Sequence, residues 1–221
     1  MLHLPIKKRW LALPAAAIMG ALAVHAQPQA SVAEMRQAFL RKFAEAAMER
    51  THHTVRYDPA YVRIAYPGGD VPAGTGVCTD EVIRAYRAMG IDLQKEVHED
   101  MLVDFSAYPT KWRRQAPDSN IDHRRVPNLM VFFSRKGEVL PISTKAQDYQ
   151  PGDLVTWDLG RGMTHIGMVV DQRALLSRRY MIVHNIGRGP RMEDVLFDWK
   201  ITGHYRYFGP LPQPWPQARP H

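Results

Sequence analysis

Residues 66–90 read YPGGDVPAGTGVCTDEVIRAYRAMG, and the character of the chain changes at Cys78. Ahead of it, glycines and prolines interrupt any regular structure. After it, Val82, Ile83, Tyr86 and Met89 fall on one helical face until Gly90, a residue suited to the position just past a helix end. The spacing predicts a helix beginning at or beside Cys78. This is the sole cysteine of 221 residues. At a helix start, unpaired amide hydrogens and a partial positive charge favour a thiolate. The same amides suit an oxyanion formed when a carbonyl is attacked. An inert buried thiol or a dimer-forming thiol is the alternative, but the polar, glycine-rich approach argues for exposure.

A thiol nucleophile needs a base. Downstream, LVTW, HIGMVV, YMIVHN and HYRYF read as strands, with Pro151-Gly152-Asp153 as a turn before the first. His165 opens HIGMVV, where a side chain can point from a sheet end into a cleft. If HIGMVV and YMIVHN form a hairpin centred between Ala174 and Leu175, His184 lies opposite His165 and can orient its ring and fix its tautomer. Asn185 is the alternative orienter, facing the other side of the sheet. Asp80 suits a cap in the first helical turn. Tyr66, in the glycine-rich approach, is a candidate cleft or oxyanion contact, as are Thr79 and Asp80 at the helix start. His123, Arg124 and Arg125 form a candidate carboxylate clamp, Arg124 foremost, with surface salt bridges as the plainer reading.

Elsewhere, Ser31 and Glu34 form a capping-box pattern ahead of Val32, Met35, Phe39 and Phe43, which predicts an amphipathic helix over 31–50. Residues 57–77 read as a long loop and 91–128 as irregular with short helical pieces. Leu129–Phe133 and Glu138–Leu140 read as two strands around the turn Ser134–Gly137. Helices first and sequential strands after predict an α+β fold with an antiparallel sheet. No dinucleotide or phosphate-loop fingerprint is present.

The first 26 residues read as a signal peptide: Lys7, Lys8 and Arg9, then an apolar run from Trp10, then Val24-His25-Ala26 as a cleavage pattern. The run is short for a bilayer span, and no stable span is expected once it is cleaved. A single domain over 27–209 and a proline-rich tail over 210–221 complete the expected organisation. The whole chain carries a formal charge of +7; losing Lys7, Lys8 and Arg9, with no acid among those 26 residues, leaves +4. That suits a polyanionic neighbourhood such as a cell wall. Beyond residue 26 no basic run exceeds two residues, as at Arg124-Arg125, so nucleic acid is not an expected partner. Asp118-Ser-Asn120-Ile-Asp122 begins like a calcium loop, but His123 and Leu129 occupy its glycine and glutamate positions. His52-His53 and His98-Glu99-Asp100 lack a second zinc-spaced cluster. No metal or cofactor is expected.

The strings YDPAYV, YPGGDVP, GVCTDEVIRAYR, NIDHRRVPNL, YQPGDLVTW and HIGMVVD resemble the bacterial family called domain of unknown function 1287, over about residues 50–208. That family is similar to NlpC-type cell-wall peptidases of the papain-like superfamily. The resemblance implies a papain-like, NlpC-like fold, Cys78 as nucleophile, His165 as base and His184 as third polar residue, with Tyr66 at the distance of the cleft tyrosine. The usual Asp-Cys-Ser-Gly is here Val77-Cys78-Thr79-Asp80, and the segment from Gly90 to Val126 is longer than such enzymes carry. The expectation is an exported cysteine hydrolase cleaving a peptide or amide bond of peptidoglycan. Other acyl bonds (lipid ester, thioester, isopeptide) and a non-catalytic wall-binding protein are the alternatives. A redox role ranks last, because no resolving cysteine exists.

Overall fold

A computed structural model describes residues 30–210. The expected signal peptide and most of the proline-rich tail lie outside the described residues. The first helix, α1 (Val32–Glu49), starts as its sequence predicts: the Ser31 hydroxyl accepts from the Glu34 amide, and the Glu34 carboxylate accepts from the Ser31 amide at 2.7 Å. The segment expected as a plain loop contains two short parallel-paired strands, β1 (Arg56–Tyr57) and β2 (Thr75–Gly76). They tie the approach to the next helix, α2 (Cys78–Ala88), whose first residue is the cysteine and which ends before Gly90 at φ +76°.

Two expectations change in the segment that follows. Residues 91–128 hold an ordered helix, α3 (Leu93–Val103), capped by the Asp92 carboxylate, and several 3-10 turns. The strand expected over Leu129–Phe133 is part of a helix, α4 (Val126–Lys136). The β-branched and aromatic content of the run suggested a strand. Yet Val126, Leu129, Phe132 and Phe133 are the buried apolar residues, at helical spacing, and Pro127 sits in the first turn where its missing N–H costs nothing.

The remaining chain builds one antiparallel sheet from β3 (Glu138–Val139), β4 (Leu154–Asp158), β5 (Thr164–Arg173), β6 (Tyr180–His184), β7 (Arg191–Glu193) and β8 (Lys200–Arg206), in the order β3-β8-β4-β5-β6-β7. The fold is α+β, as expected from the order of helices and strands. Period-two alternation sends the residues of β5 to two different cores. Ile166, Met168 and Val170 join the helix-side cluster with Cys78, Val82 and Phe133. Val169 joins Val155, Trp157, Ile182 and Leu196 in a second cluster.

Candidate active site

The helix start is pinned by a buried ion pair. The Asp80 carboxylate accepts from the Val77 amide at 2.6 Å and from Arg124 Nε at 2.8 Å and Nη2 at 3.0 Å. Arg124 also donates to the carbonyls of Ala60 at 3.0 Å and Asp58 at 3.4 Å, and its own carbonyl accepts from the Thr79 hydroxyl at 2.9 Å. Every group in this set is spent within the fold. Asp80 is the helix-start cap its position suggested and Arg124 makes the plainer salt bridge, here a buried one; as substrate or oxyanion contacts the side chains of Thr79, Asp80 and Arg124 are replaced by a lock that holds the long Gly90–Val126 segment to the helix carrying Cys78. The physical reason is burial: a guanidinium and a carboxylate enter the interior only when each satisfies the other.

The sulfur lies where this helix meets β5. Backbone N–H groups of Ile166, Thr79 and Cys78 itself hydrogen-bond to it. It therefore sits at the peptide group that joins His165 to Ile166. Its exposure is 5 %, against the exposed position expected from the sequence. Burial pushes the thiol up to about 12, outweighing the amides, and the nearby Asp80 charge pushes the same way. The expected thiolate is thus replaced at rest by a neutral thiol. Tyr57 shares this environment: burial first, then Cys78 and Asp80, raise its phenol to about 12. Tyr57 is the tyrosine beside the sulfur that the sequence did not single out. Tyr66 is exposed and packs its ring edge-on against His98, with centroids 4.9 Å apart.

His165 and His184 are brought together. His165 Nε2 and His184 Nδ1 are 2.8 Å apart. The hairpin register differs from the expected one: Met168 pairs with Val183 and Val169 with Ile182, which sets His184 across from Gly167 rather than His165. The shift is two residues, so both imidazoles stay on one face and meet diagonally. Gly167 makes the space. A Cβ there would stand 2.6 Å from Ile182 Cγ2 and 3.2 Å from both His184 Cβ and Trp157 Cζ3. Asn185 points away: its Oδ1 accepts from the Gly187 amide at 3.1 Å, and its buried Nδ2 has no partner.

Two indoles wall the histidine pair. Trp157 lies 5.8 Å from the His165 ring, and Trp199 lies 5.9 Å from His165 and 6.1 Å from His184. Burial, with the neighbouring His184, lowers His165 to about 3. Burial lowers His184 as well, opposed by a hydrogen bond from its Nε2 to Glu193 Oε2 at 2.9 Å. Neither Trp199 nor Glu193 stood out in the sequence. The alternation in RMEDVLFDW is too short to show which side chains reach back to β6. Among the described residues no three His, Cys, Asp or Glu side chains form a metal cluster. The Asp118 and Asp122 carboxylates of the calcium-like string are occupied by Arg114, Arg125, Asn120 and Tyr61.

The arrangement defines an α+β protein with a helix-start thiol beside a paired-imidazole strand end. The chain belongs to the family described as "Domain of unknown function (DUF1287)", whose model matches residues 44–207. It is 54 % identical over 165 residues to "Uncharacterized protein YijF" of Escherichia coli (strain K12), covering 75 % of this chain and 80 % of that protein. Among solved structures it is similar to NlpC1 of Trichomonas vaginalis, with a TM-score of 0.42 and 15 % identity, and to NlpC2 of the same organism, with 0.43 and 17 %. Each alignment covers 76 % of this chain but only 44 % and 46 % of those longer chains.

Proposed function

We propose that the protein is an exported cysteine hydrolase that cleaves a peptide or amide bond in peptidoglycan. The observation that carries this reading is the junction itself: the sulfur at the Ile166 amide, one residue from an imidazole whose Nε2 is held by His184. On this reading His165 Nδ1 is the nitrogen that must turn to the thiol, with which it makes no hydrogen bond at rest. At rest both partners are neutral. As the sulfur attacks the carbonyl carbon, its proton passes to His165 Nδ1, and the helix-start amides of Cys78 and Thr79 stabilise the oxyanion. Collapse breaks the C–N bond, the amine leaves with that proton, and a thioester remains on Cys78. His165 then takes a proton from water, hydroxide adds to the thioester, and the acid is released as the thiol re-forms.

Peptidoglycan as substrate is supported by the signal-like N-terminus and the basic charge, and export by the first of these. The test is incubation of purified protein with defined muropeptides, read by mass spectrometry beside a Cys78→Ala control. New fragments from the wild type alone establish hydrolysis and name the bond. No fragment from any wall preparation would refute it as a wall hydrolase and turn attention to lipid esters, thioesters and isopeptides. One observation favours a different reading: a sulfur 5 % exposed, with its ionisation opposed by burial, suits a wall-binding protein without turnover. Muropeptides retained by the protein but never cleaved, equally in wild type and Cys78→Ala, would establish that alternative.

A further inference from the structure

The pair of histidines continues outward to a third group. Glu193 stands on the edge strand β7, paired through Ile182 with β6, and its side chain is 40 % exposed. Its carboxylate has only acceptors to offer at neutral pH, so the 2.9 Å contact requires a proton on His184 Nε2. With Nε2 protonated, neutral His184 has a bare Nδ1, which must accept across the 2.8 Å contact. His165 Nε2 must therefore carry the proton of that bond. Neutral His165 has only one ring proton, and its Nδ1 is left with a free lone pair.

We infer that Glu193 is a positioning residue: through two hydrogen bonds in series it selects the His165 tautomer that leaves a proton acceptor on Nδ1, the nitrogen that the hydrolase reading assigns to the thiol. This rests on the hydrolase reading for its purpose, but the tautomers follow from the geometry alone. Without the carboxylate the pair has a second, equally bonded arrangement. His184 can then carry its proton on Nδ1 and donate to His165 Nε2, forcing the His165 proton onto Nδ1, where no base remains for the thiol. The two arrangements differ only in the direction of one hydrogen-bond chain, and the group at its outer end decides between them.

That outer end opens to solvent. Glu193 and His184 line a groove of about 320 Å³ with Ile186, Arg188, Gly189 and Arg191. Arg188 and Arg191 are exposed, and the described residues give neither a carboxylate partner. Glu193 and Asp198 both place negative charge near His184. When His165 becomes an imidazolium, the same chain leads its positive charge toward the Glu193 carboxylate, as the third member of a catalytic triad does for its histidine.

The test uses the full chain labelled with ¹⁵N at histidine. Imidazole spectra, assigned with His165→Gln and His184→Gln, read which nitrogen carries the proton. The expected wild-type pattern is Nε2–H on both rings. Glu193→Lys, which offers only donors, should turn both rings to Nδ1–H, and Glu193→Gln, which offers either, should give a mixture. Because Cys78 is the only thiol, its alkylation rate gives an independent reading: Glu193→Lys should slow it by about tenfold or more relative to wild type. Glu193→Gln should fall between the two. Folding of each variant is checked by its near-ultraviolet circular dichroism, since β7 lies at the sheet edge. Tautomers unchanged in the folded Lys variant, or alkylation within about twofold of wild type, would overturn the inference. Failure to cleave any muropeptide leaves these spectra as they are and bears on the hydrolase reading alone.

Discussion

Arg124→Ala tests what holds the cysteine-bearing helix in place. Arg124 and Asp80 have side chains only 2 % exposed, and two hydrogen bonds of 2.8 and 3.0 Å join them. Removing the guanidinium leaves the Asp80 carboxylate buried, with the Val77 amide as its one remaining partner of those described above. It also frees the carbonyls of Ala60 and Asp58. Breaking one side of such a pair costs about 3–5 kcal/mol, because the surviving charge has lost its compensation. For a chain of this size each kilocalorie moves the midpoint by about 2–4 °C, so the melting temperature should fall by about 6–20 °C. The assay is urea and thermal unfolding of wild type, Arg124→Ala, Asp80→Asn and the double variant. The double variant should be less destabilised than the two singles added together, by at least about 1 kcal/mol. Had Arg124 been a substrate clamp on the surface, its loss would leave stability within about 0.5 kcal/mol of wild type and the cycle additive. That result would refute the structural role.

The ionisation of the buried groups fixes a pH window for stability. His165 and His123 are both lowered to about 3, so the unfolded chain takes up their protons first as pH falls below about 6.5. Stability should therefore decline between about 6.5 and 3, each histidine contributing up to about 1.4 kcal/mol per pH unit. Cys78 is raised to about 12, so stability declines again as pH rises from about 9 toward 12. Urea midpoints at pH 5, 7.5 and 10 check both limbs, and a midpoint flat from pH 4.5 to 7.5 would contradict the burial of the two imidazoles. A thiol shifted from 9 to 12 has about a thousandth of the usual thiolate at neutral pH; its greater intrinsic nucleophilicity recovers part of that, leaving alkylation about 30- to 60-fold slower than for a free cysteine. Rapid labelling at pH 6 would show instead that His165 already holds the proton. Gly167→Val places a side chain where even a Cβ would lie 2.6 Å from Ile182 Cγ2; it should cost about 1–3 kcal/mol and part the two histidines, seen as loss of their coupled imidazole signals.

How much of this was legible in the sequence depends on the range of the interaction that decides each feature. Local patterns carried well. The Ser31–Glu34 cap, the helix from Cys78 to before Gly90, and the strands around LVTW, HIGMVV and YMIVH follow from neighbours within a turn or a pleat. Parity survived even where register did not, because a two-residue slip leaves a strand's faces unchanged. The errors came where tertiary burial overrode composition. Val131, Phe132 and Phe133 suit a strand by content, yet the apolar spacing through Val126 and Leu129 belongs to a helix. Polar and glycine-rich residues around Cys78 suggested an open thiol, but Asp80 and Arg124 are polar because they neutralise one another inside. Glu193 and Trp199 could not be read at all, since what they do depends on how β7 and β8 return to the sheet.

Cys78 belongs to the helix-side core, while Trp157 and Trp199, which wall the imidazoles, belong to the core on the other face of β5. Cys78 packs with the helices; His165 and His184 pack on the tryptophans. On the hydrolase reading, the approach of thiol to imidazole therefore depends on how both layers pack on one strand. Repacking far from the cleft, on either side, becomes a way to adjust reactivity without touching a reacting atom.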